Sequence, residues 1–278
     1  MPTLSAITTA EYQRFKNFLE QSCGILLGEG KEYLIVSRMT KLLREEQISS
    51  YSELLTAIER GHPRHLRDAV IDAMTTNETS WFRDRSPFEI LAKEVFPTMD
   101  SEGKLQCRIW SSACSSGQEP YTVSIAVSEH LAYFPTSGLA NTQIMATDIS
   151  ASMLLEAEQA EYDEGILGRG LSAARKQQFF RQVDDRWTVA GDIKRRVSLK
   201  LQNLLTNYGA LGKFDIIFCR NVLIYFSPER KSDILSRMAL AMNPGAYLFL
   251  GASETITGYS DAFEMIRSPY GVYYQLKS

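Results

Sequence analysis

A chain of 278 residues is long enough for one or two domains with a sizeable core. Its apolar share of 44% and charged share of 23% are ordinary for a globular protein, and a formal net charge of −3 lacks the basic excess of a nucleic-acid binder. No apolar run approaches the roughly 20 residues of a membrane helix, and MPTLSAITTAEYQ lacks the basic and apolar regions of a signal peptide, so a cytosolic protein without membrane insertion is expected.

The first 75 or so residues contain no convincing strand. Thr8 and Glu11 have capping-box spacing, Tyr12, Phe15 and Leu19 share one helical face, and Gly24 supplies a stop. KEYLIVSRMTKLLREEQ, SELLTAIERG and PRHLRDAVIDAM read as three more helices, which makes a small helical domain. His62 and His65 could share a face, but no acid or thiol cluster accompanies them, so they are read as solvated. Cys23, Cys107, Cys114 and Cys219 are far apart, with no C-x-x-C pair; reduced thiols and no metal are expected.

A connector follows, TTNETSWFRDRSPFEILAKEVF. Ser86, Pro87 and Glu89 have the composition of a capped helix start with a capping box. Beyond it, QCRIW, QIMATD and FDIIFCRN read as strands, each followed by a helical segment, and AYLFLGAS and GVYYQLK as two closing strands. The alternation indicates a doubly wound, mostly parallel sheet, and the missing helix between the last two strands indicates an antiparallel edge. Residues from about 161 to 200 look like an insertion holding the helix SAARKQQFF and a hairpin of RWTVA and RRVSLKL.

Ligands of open parallel sheets bind beyond the carboxyl ends of the strands. At the first such end, QCRIWSSACSSGQEPY has the strand, loop and helix layout of a nucleotide site but only one loop glycine, Gly117. It matches neither the dinucleotide fingerprint nor the P-loop, so it has no phosphate cradle. A nucleoside ligand without phosphate, carrying a positive sulfonium and an amino-acid end, would want carboxylates here instead. S-adenosylmethionine fits that description. Glu119 would face its cationic part, and Asp148 would accept hydrogen bonds from the ribose hydroxyls. The blander roles are a first-turn acid for Glu119 and a helix cap for Asp148, although Ser150 is a closer cap.

Five stretches, TTNETSWFRD, WSSACSSGQEPY, ATDIS, QNLL and FCRNVLIYF, occur in an order and spacing that resembles the chemotaxis receptor glutamate methyltransferases, the CheR family. The resemblance covers essentially the whole chain. It implies an all-α N-terminal domain over 1–75, a connector over 76–100 that contributes to the cofactor site, and a Rossmann-like methyltransferase domain over 101–278 with a small inserted β-subdomain. It also implies methyl transfer from S-adenosylmethionine to glutamates on the cytoplasmic helices of chemoreceptors, with S-adenosylhomocysteine as product, by a monomer recruited to receptor arrays at the inner membrane. Residue by residue, it assigns cofactor contacts to Asn77, Thr79, Arg83, Glu119, Asp148, Asn203, Leu204, Arg220 and Asn221, and roles in the transfer to Arg83 and Tyr225. Arg83 could instead form a surface salt bridge with Asp84 or Glu78, and Tyr225 could be a core aromatic.

Arg38, Lys41 and Arg44, at helical spacing, with Arg60, Arg64 and Arg67 further on, could meet an acidic receptor helix or could be a solvated charged face. Family members that dock on a receptor C-terminal pentapeptide have a longer loop in the inserted hairpin. QVDDRWTVAGD is short by comparison, so tight tethering is not expected. A nicotinamide dehydrogenase would need the absent glycine fingerprint, and a nucleic-acid methyltransferase would need an N/D-P-P-Y-type motif where CRNVLIYF stands. A non-catalytic S-adenosylmethionine-binding adaptor is the remaining alternative, against which the presence of both Arg83 and Tyr225 argues.

Overall fold

The structure, a computed structural model, describes residues 6–277. The chain divides into two compact units, one running through Thr76 together with Tyr225–Arg230, the other comprising Asn77–Ile224 and the residues from Lys231 onward.

Among the described residues the N-terminal part of the first unit holds α1 (Thr9–Cys23), α2 (Glu32–Glu45), α3 (Tyr51–Arg60) and α4 (Arg64–Met74). The start of α1 is set by the expected reciprocal cap between Thr8 and Glu11, and its end by Gly24 in the left-handed region at φ 78°. Apolar residues at helical spacing, Phe15 and Leu19 on α1, Ile35 and Met39 on α2, Leu54 and Ile58 on α3, and Val70 on α4, are almost fully buried. Arg38 has a structural task within this unit. Its Nη1 donates to the carbonyls of Met74 (2.5 Å) and Thr75 (2.9 Å), and its Nη2 to Thr76 Oγ1 (2.9 Å). A guanidinium thereby caps the end of α4 and ties it to α2.

The second unit continues with α5 (Ser86–Ile90), a π-helical turn (Leu91–Val95), α6 (Phe96–Ser101), β1 (Arg108–Ser111), α7 (Gln118–Tyr133), β2 (Gln143–Asp148) and α8 (Ala151–Gln159). Next come β3 (Glu161–Tyr162), α9 (Glu164–Leu167), α10 (Ala173–Phe179), β4 (Phe180–Val183), β5 (Arg186–Val189), α11 (Gly191–Lys194) and β6 (Val197–Leu201). The chain closes with β7 (Phe214–Cys219), α12 (Pro228–Leu240), whose first turn counts with the helical unit, and β8 (Met242–Leu250), β9 (Phe263–Ser268) and β10 (Gly271–Leu276).

Seven strands form one sheet in the order β6-β2-β1-β7-β8-β10-β9. Five of them run parallel, and β10 pairs antiparallel with both β8 and β9. The expected doubly wound, mostly parallel sheet with an antiparallel edge is therefore present. Trp81, Ile109, Val123, Ile144, Ile216, Phe218 and Phe249 belong to one continuous buried core. Trp81 lies edge-on between Tyr162 and Phe180, each ring centroid 5.0 Å away.

Three expectations need correction. RRVSLKL is not in the inserted hairpin: β6 pairs in parallel with β2, Ile144 opposite Val197 through Asp148 opposite Leu201, and so forms an edge of the main sheet. The small sheet, in the order β3-β5-β4, pairs RWTVA with FRQV and EY instead. The capping box at Ser86 and Glu89 does not form. Ser86 lies inside α5, its hydroxyl donates to the Tyr270 carbonyl (2.6 Å), and the preceding residue, Arg85, sits at φ 53° without a side-chain cap bond. The strand β9 was not foreseen.

Among the described residues no helix is long and apolar enough to cross a membrane, and no cluster of three or more His, Cys, Asp or Glu is placed to hold a metal. His65 lies 3.0 Å from a Glu46 carboxylate oxygen.

All four cysteines are buried and unpaired, and burial pushes each thiol up, that of Cys23 to about 11. Thiol titration with an aromatic disulfide reagent should find none reactive in the native protein and all four after denaturation. A thiol raised in the folded state contributes stability that is complete below its unfolded value and lost as pH rises toward the folded one. The urea midpoint should therefore decline above about pH 9.

Candidate active site

The strand order reverses between β1 and β7, so the loops that follow these two strands and β2 converge at the carboxyl rim of the sheet. Backbone bonds join the loops: Ser112 N donates to the Phe218 carbonyl (2.9 Å) and Cys114 N to the Thr147 carbonyl (3.0 Å). Thr147 Oγ1 receives the Trp110 indole N–H (2.9 Å) and donates to the Ser112 carbonyl (3.2 Å). The first loop is thus held rigidly without a glycine-rich turn.

Gly117 adopts φ 95° at the N-cap of α7, where a Cβ would come within 3.0 Å of Ala157, Tyr121 and Tyr162. Close packing of the loop on α8 and β3 therefore requires this glycine. Tyr162 adds a bond of its own, its hydroxyl donating to the Ser116 carbonyl (2.7 Å).

Arg220 lies at the centre of the rim. Its side chain is 2% exposed, and it donates from Nη1 to Glu119 Oε2 (2.8 Å) and from Nη2 to Asp84 Oδ2 (2.7 Å) and the Arg83 carbonyl (2.7 Å). Glu119 also accepts from the Ser111 hydroxyl (2.8 Å). One guanidinium faces two carboxylates, which leaves one negative charge in excess. The buried Arg220 Nε has no protein partner among the described residues.

The connector near Arg220 bends sharply: Phe82, Asp84 and Arg85 have φ of 48°, 66° and 53°. Non-glycine residues there cost of order 1–3 kcal/mol each and persist only where neighbours hold them. Arg220 provides that hold, together with the Phe82 N–H, which donates to Thr122 Oγ1 (3.3 Å). Arg83 Nη1 donates to the Glu78 carbonyl (2.6 Å), while the carboxylates of Glu78 and Asp84 pair with Arg169 and Arg220. The salt-bridge alternative for Arg83 is therefore not what the structure displays.

Asp148 is 7% exposed, with Oδ2 accepting from Ser115 N (2.8 Å) and Oδ1 from Ser150 N (2.9 Å). The cap of α8 is the Ser150 hydroxyl, which accepts from Met153 N (3.1 Å). The two backbone bonds orient the Asp148 carboxylate. Because β6 lies beside β2, Gln202 N donates to the Asp148 carbonyl (2.9 Å), and Asn203 and the buried Leu204 follow directly. The Asn77 carbonyl accepts from Ser115 Oγ (2.9 Å), and Thr79 is half-buried two residues on. The structure thus brings Asn77, Glu119, Asp148, Asn203, Arg220 and the Arg83 backbone onto one rim.

Asn221, at φ 57°, follows Arg220. Its backbone N–H and that of Gly251 both donate to Glu254 Oε2 (2.7 Å each), so Glu254 locks the loops after β7 and β8 together. Tyr225 is half-buried in a 3-10 turn (Leu223–Tyr225) and counts with the helical unit, where its carbonyl accepts from Leu26 N (2.9 Å). In that same unit Lys41 and Arg44 are exposed, and Lys41 reaches Glu45 only at 3.7 Å. Sequence reasoning missed Ser111, Asp84 and Glu254 as parts of the site. Ser111 ends a strand at the ligand rim and was findable by position, whereas nothing around Glu254 signals its role.

Comparison with known proteins gives concordant matches. The family model described as CheR methyltransferase, SAM binding domain, matches residues 77–272, and that described as CheR methyltransferase, all-alpha domain, matches residues 10–75. A "Chemotaxis protein methyltransferase" of Vibrio parahaemolyticus is 49% identical, with 99% of this chain and 100% of the relative covered. "Chemotaxis protein methyltransferase 1" of Vibrio cholerae is 50% identical with the same coverage. The Pseudomonas aeruginosa protein of that name is 48% identical, with 96% of this chain and 98% of the relative covered.

Removing Arg220 should strand its two carboxylates. Arg220→Met is expected to lower stability in urea unfolding by up to about 3–5 kcal/mol, the cost of breaking a buried pair, with the Asp84 share discounted because that side chain is 35% exposed. Arg220→Lys should recover only part of the loss, because an ammonium cannot reproduce the planar fork.

Proposed function

The chain belongs to the CheR methyltransferase family, and from that premise we propose that it methylates glutamate side chains on the cytoplasmic helices of chemoreceptors, forming methyl esters and S-adenosylhomocysteine. The observation that carries the cofactor half of this reading is the Glu119–Arg220–Asp84 cluster. With its ammonium, carboxylate and sulfonium, S-adenosylmethionine has a net charge of plus one, which suits a cluster with one negative charge in excess and, beside it, the Asp148 carboxylate. The free Arg220 Nε gives an anionic end a donor, and Asp148, already aimed by Ser115 and Ser150, suits ribose hydroxyls. Asn203 and Leu204 would flank the adenine, and Asn77, Thr79 and Asn221 would complete the contacts.

When bound, the cofactor supplies an electrophilic methyl group. The work left to the protein is positioning. A glutamate side chain is ionised at neutral pH, so no general base is needed to create the nucleophile. Holding oxygen, carbon and sulfur in line with water excluded can contribute about 7–11 kcal/mol. In this reading Arg83 orients the incoming carboxylate, and the Tyr225 hydroxyl lies beside the transferring methyl. The chain acts as a monomer in the cytoplasm, recruited to receptor arrays.

Receptor recognition is assigned to α2 through Lys41 and Arg44. Arg38 is less suited to it, because its guanidinium is committed to the end of α4. The connection between β4 and β5 is only Asp184 and Asp185, with Asp184 at φ 52°, and this tight turn supports the reading that no receptor C-terminal pentapeptide is held tightly.

Labelled methyl from S-adenosylmethionine should appear as base-labile ester on receptor cytoplasmic fragments. Arg83→Ala and Tyr225→Phe should each slow the transfer at saturating cofactor; wild-type rates in both would remove their assigned roles. The double charge reversal Lys41→Glu with Arg44→Glu should slow methylation and flatten its salt dependence, without the destabilisation that Arg38 substitution brings. Calorimetry with a receptor C-terminal pentapeptide should give no micromolar binding.

A further inference from the structure

A second concavity, of about 490 Å³, opens at the opposite edge of the main sheet, where β1, β2 and β6 begin. Arg108, Arg195 and Arg196 line it, and Asp192 is its one acidic residue. Among the described residues no carboxylate lies within salt-bridge distance of any of these three guanidiniums.

What they do touch is neutral. Arg108 donates from Nη1 to the Lys213 carbonyl and from Nη2 to the Leu211 carbonyl (2.9 Å each). Its neighbour Asp215 is spent elsewhere, on the Arg108 backbone N–H, Lys104 and Asn243. Arg196 is half-buried and donates only from Nη1, at 2.8 Å to Ser128 Oγ and more loosely to Ser124 Oγ and the Asp192 carbonyl. Its Nη2 and Nε have no hydrogen-bond partner among the described residues, and Arg195 is exposed with none. Burial lowers the pKa of Arg196; Asp192 raises it, and the positive charge of Arg195 lowers it again. Like charges are therefore concentrated in a recess with too little acid to offset them, and a bound anion would relieve both the repulsion and the unused donors.

The planar guanidinium fork matches phosphate oxygens in pairs, and the volume falls within the range of about 300–1,000 Å³ that holds small ligands. A nucleic-acid surface would instead need a basic stripe, whereas this chain has a net charge of −3 and these three guanidiniums line a concavity. We propose that this recess is a binding site for a phosphate-bearing small molecule about the size of a nucleoside diphosphate, at the opposite edge of the sheet from the active site.

Calorimetry on the full chain, with S-adenosylhomocysteine added first to saturation, provides the test, with inorganic pyrophosphate and ADP as the probes. Both should bind saturably and more weakly as salt is raised. Arg195→Glu, an exposed change compatible with folding, should weaken both by at least about tenfold while leaving S-adenosylhomocysteine affinity and the basal rate unchanged. Arg196→Lys, which keeps the charge and loses the fork, should weaken them less. No saturable heat from either probe, equal affinity in Arg195→Glu, or binding only of duplex DNA or anionic vesicles would overturn the proposal. Failure of S-adenosylhomocysteine itself to bind would count against the cofactor reading alone, since the probe titrations can be run without it.

Discussion

The guanidinium of Arg220 connects three parts of the chain: the connector at Arg83 and Asp84, the first turn of α7 at Glu119, and the end of β7. A buried charge is costly to desolvate, and breaking such a pair costs more than the pair itself contributes. The arrangement therefore has little tolerance for partial assembly. It also explains how Phe82, Asp84 and Arg85 remain in the left-handed region. Arg220 offsets their strain together with the bond from Phe82 to Thr122, so the shape of the connector and the charge of the rim share one side chain.

From that follows a division of labour along the rim. Backbone N–H groups that a phosphate-binding loop would aim at a ligand are here turned inward, that of Ser115 onto Asp148 and that of Cys114 onto the Thr147 carbonyl. The charged groups gathered at the rim are instead side chains, Glu119 and Asp84 around the Arg220 guanidinium, and Asp148. The electrostatic sign of the rim is thus opposite to that of a dinucleotide site on the same kind of sheet.

Much of this was legible beforehand because local chemistry decided it. Thr8, Glu11 and Gly24 delimit α1 by bonds made within a few residues of themselves, and Asp148 at the end of β2 and Glu119 in the first turn of the helix after β1 declare themselves by position. What stayed hidden depends on partners far along the chain. Ser86 has the composition of a cap, but its hydroxyl is taken by Tyr270, 184 residues away. RRVSLKL alternates like a hairpin arm, and nothing local says that its partner is β2. The strand β9 lacks a clear apolar signal because only Phe263 of its six residues is buried. Arg38 looked like part of a charged surface stripe, since its acceptors are backbone carbonyls, which leave no trace in composition. The family motifs supplied most of the remaining site residues, but not Glu254, whose role arises only when the β7 and β8 loops meet.

The bond from Tyr162 to the Ser116 carbonyl, with Trp81 wedged between Tyr162 and Phe180, has a bearing on how the protein can be altered. The three-stranded sheet could be taken for an interchangeable cassette that varies from relative to relative without touching the chemistry. One of its side chains instead secures the first loop, and a second presses on the tryptophan that begins the connector bend. Transplanting this sheet between relatives would carry part of the candidate site's scaffold with it, so a chimera should keep Tyr162 and Phe180 with their host and exchange only the turn at Asp184 and Asp185.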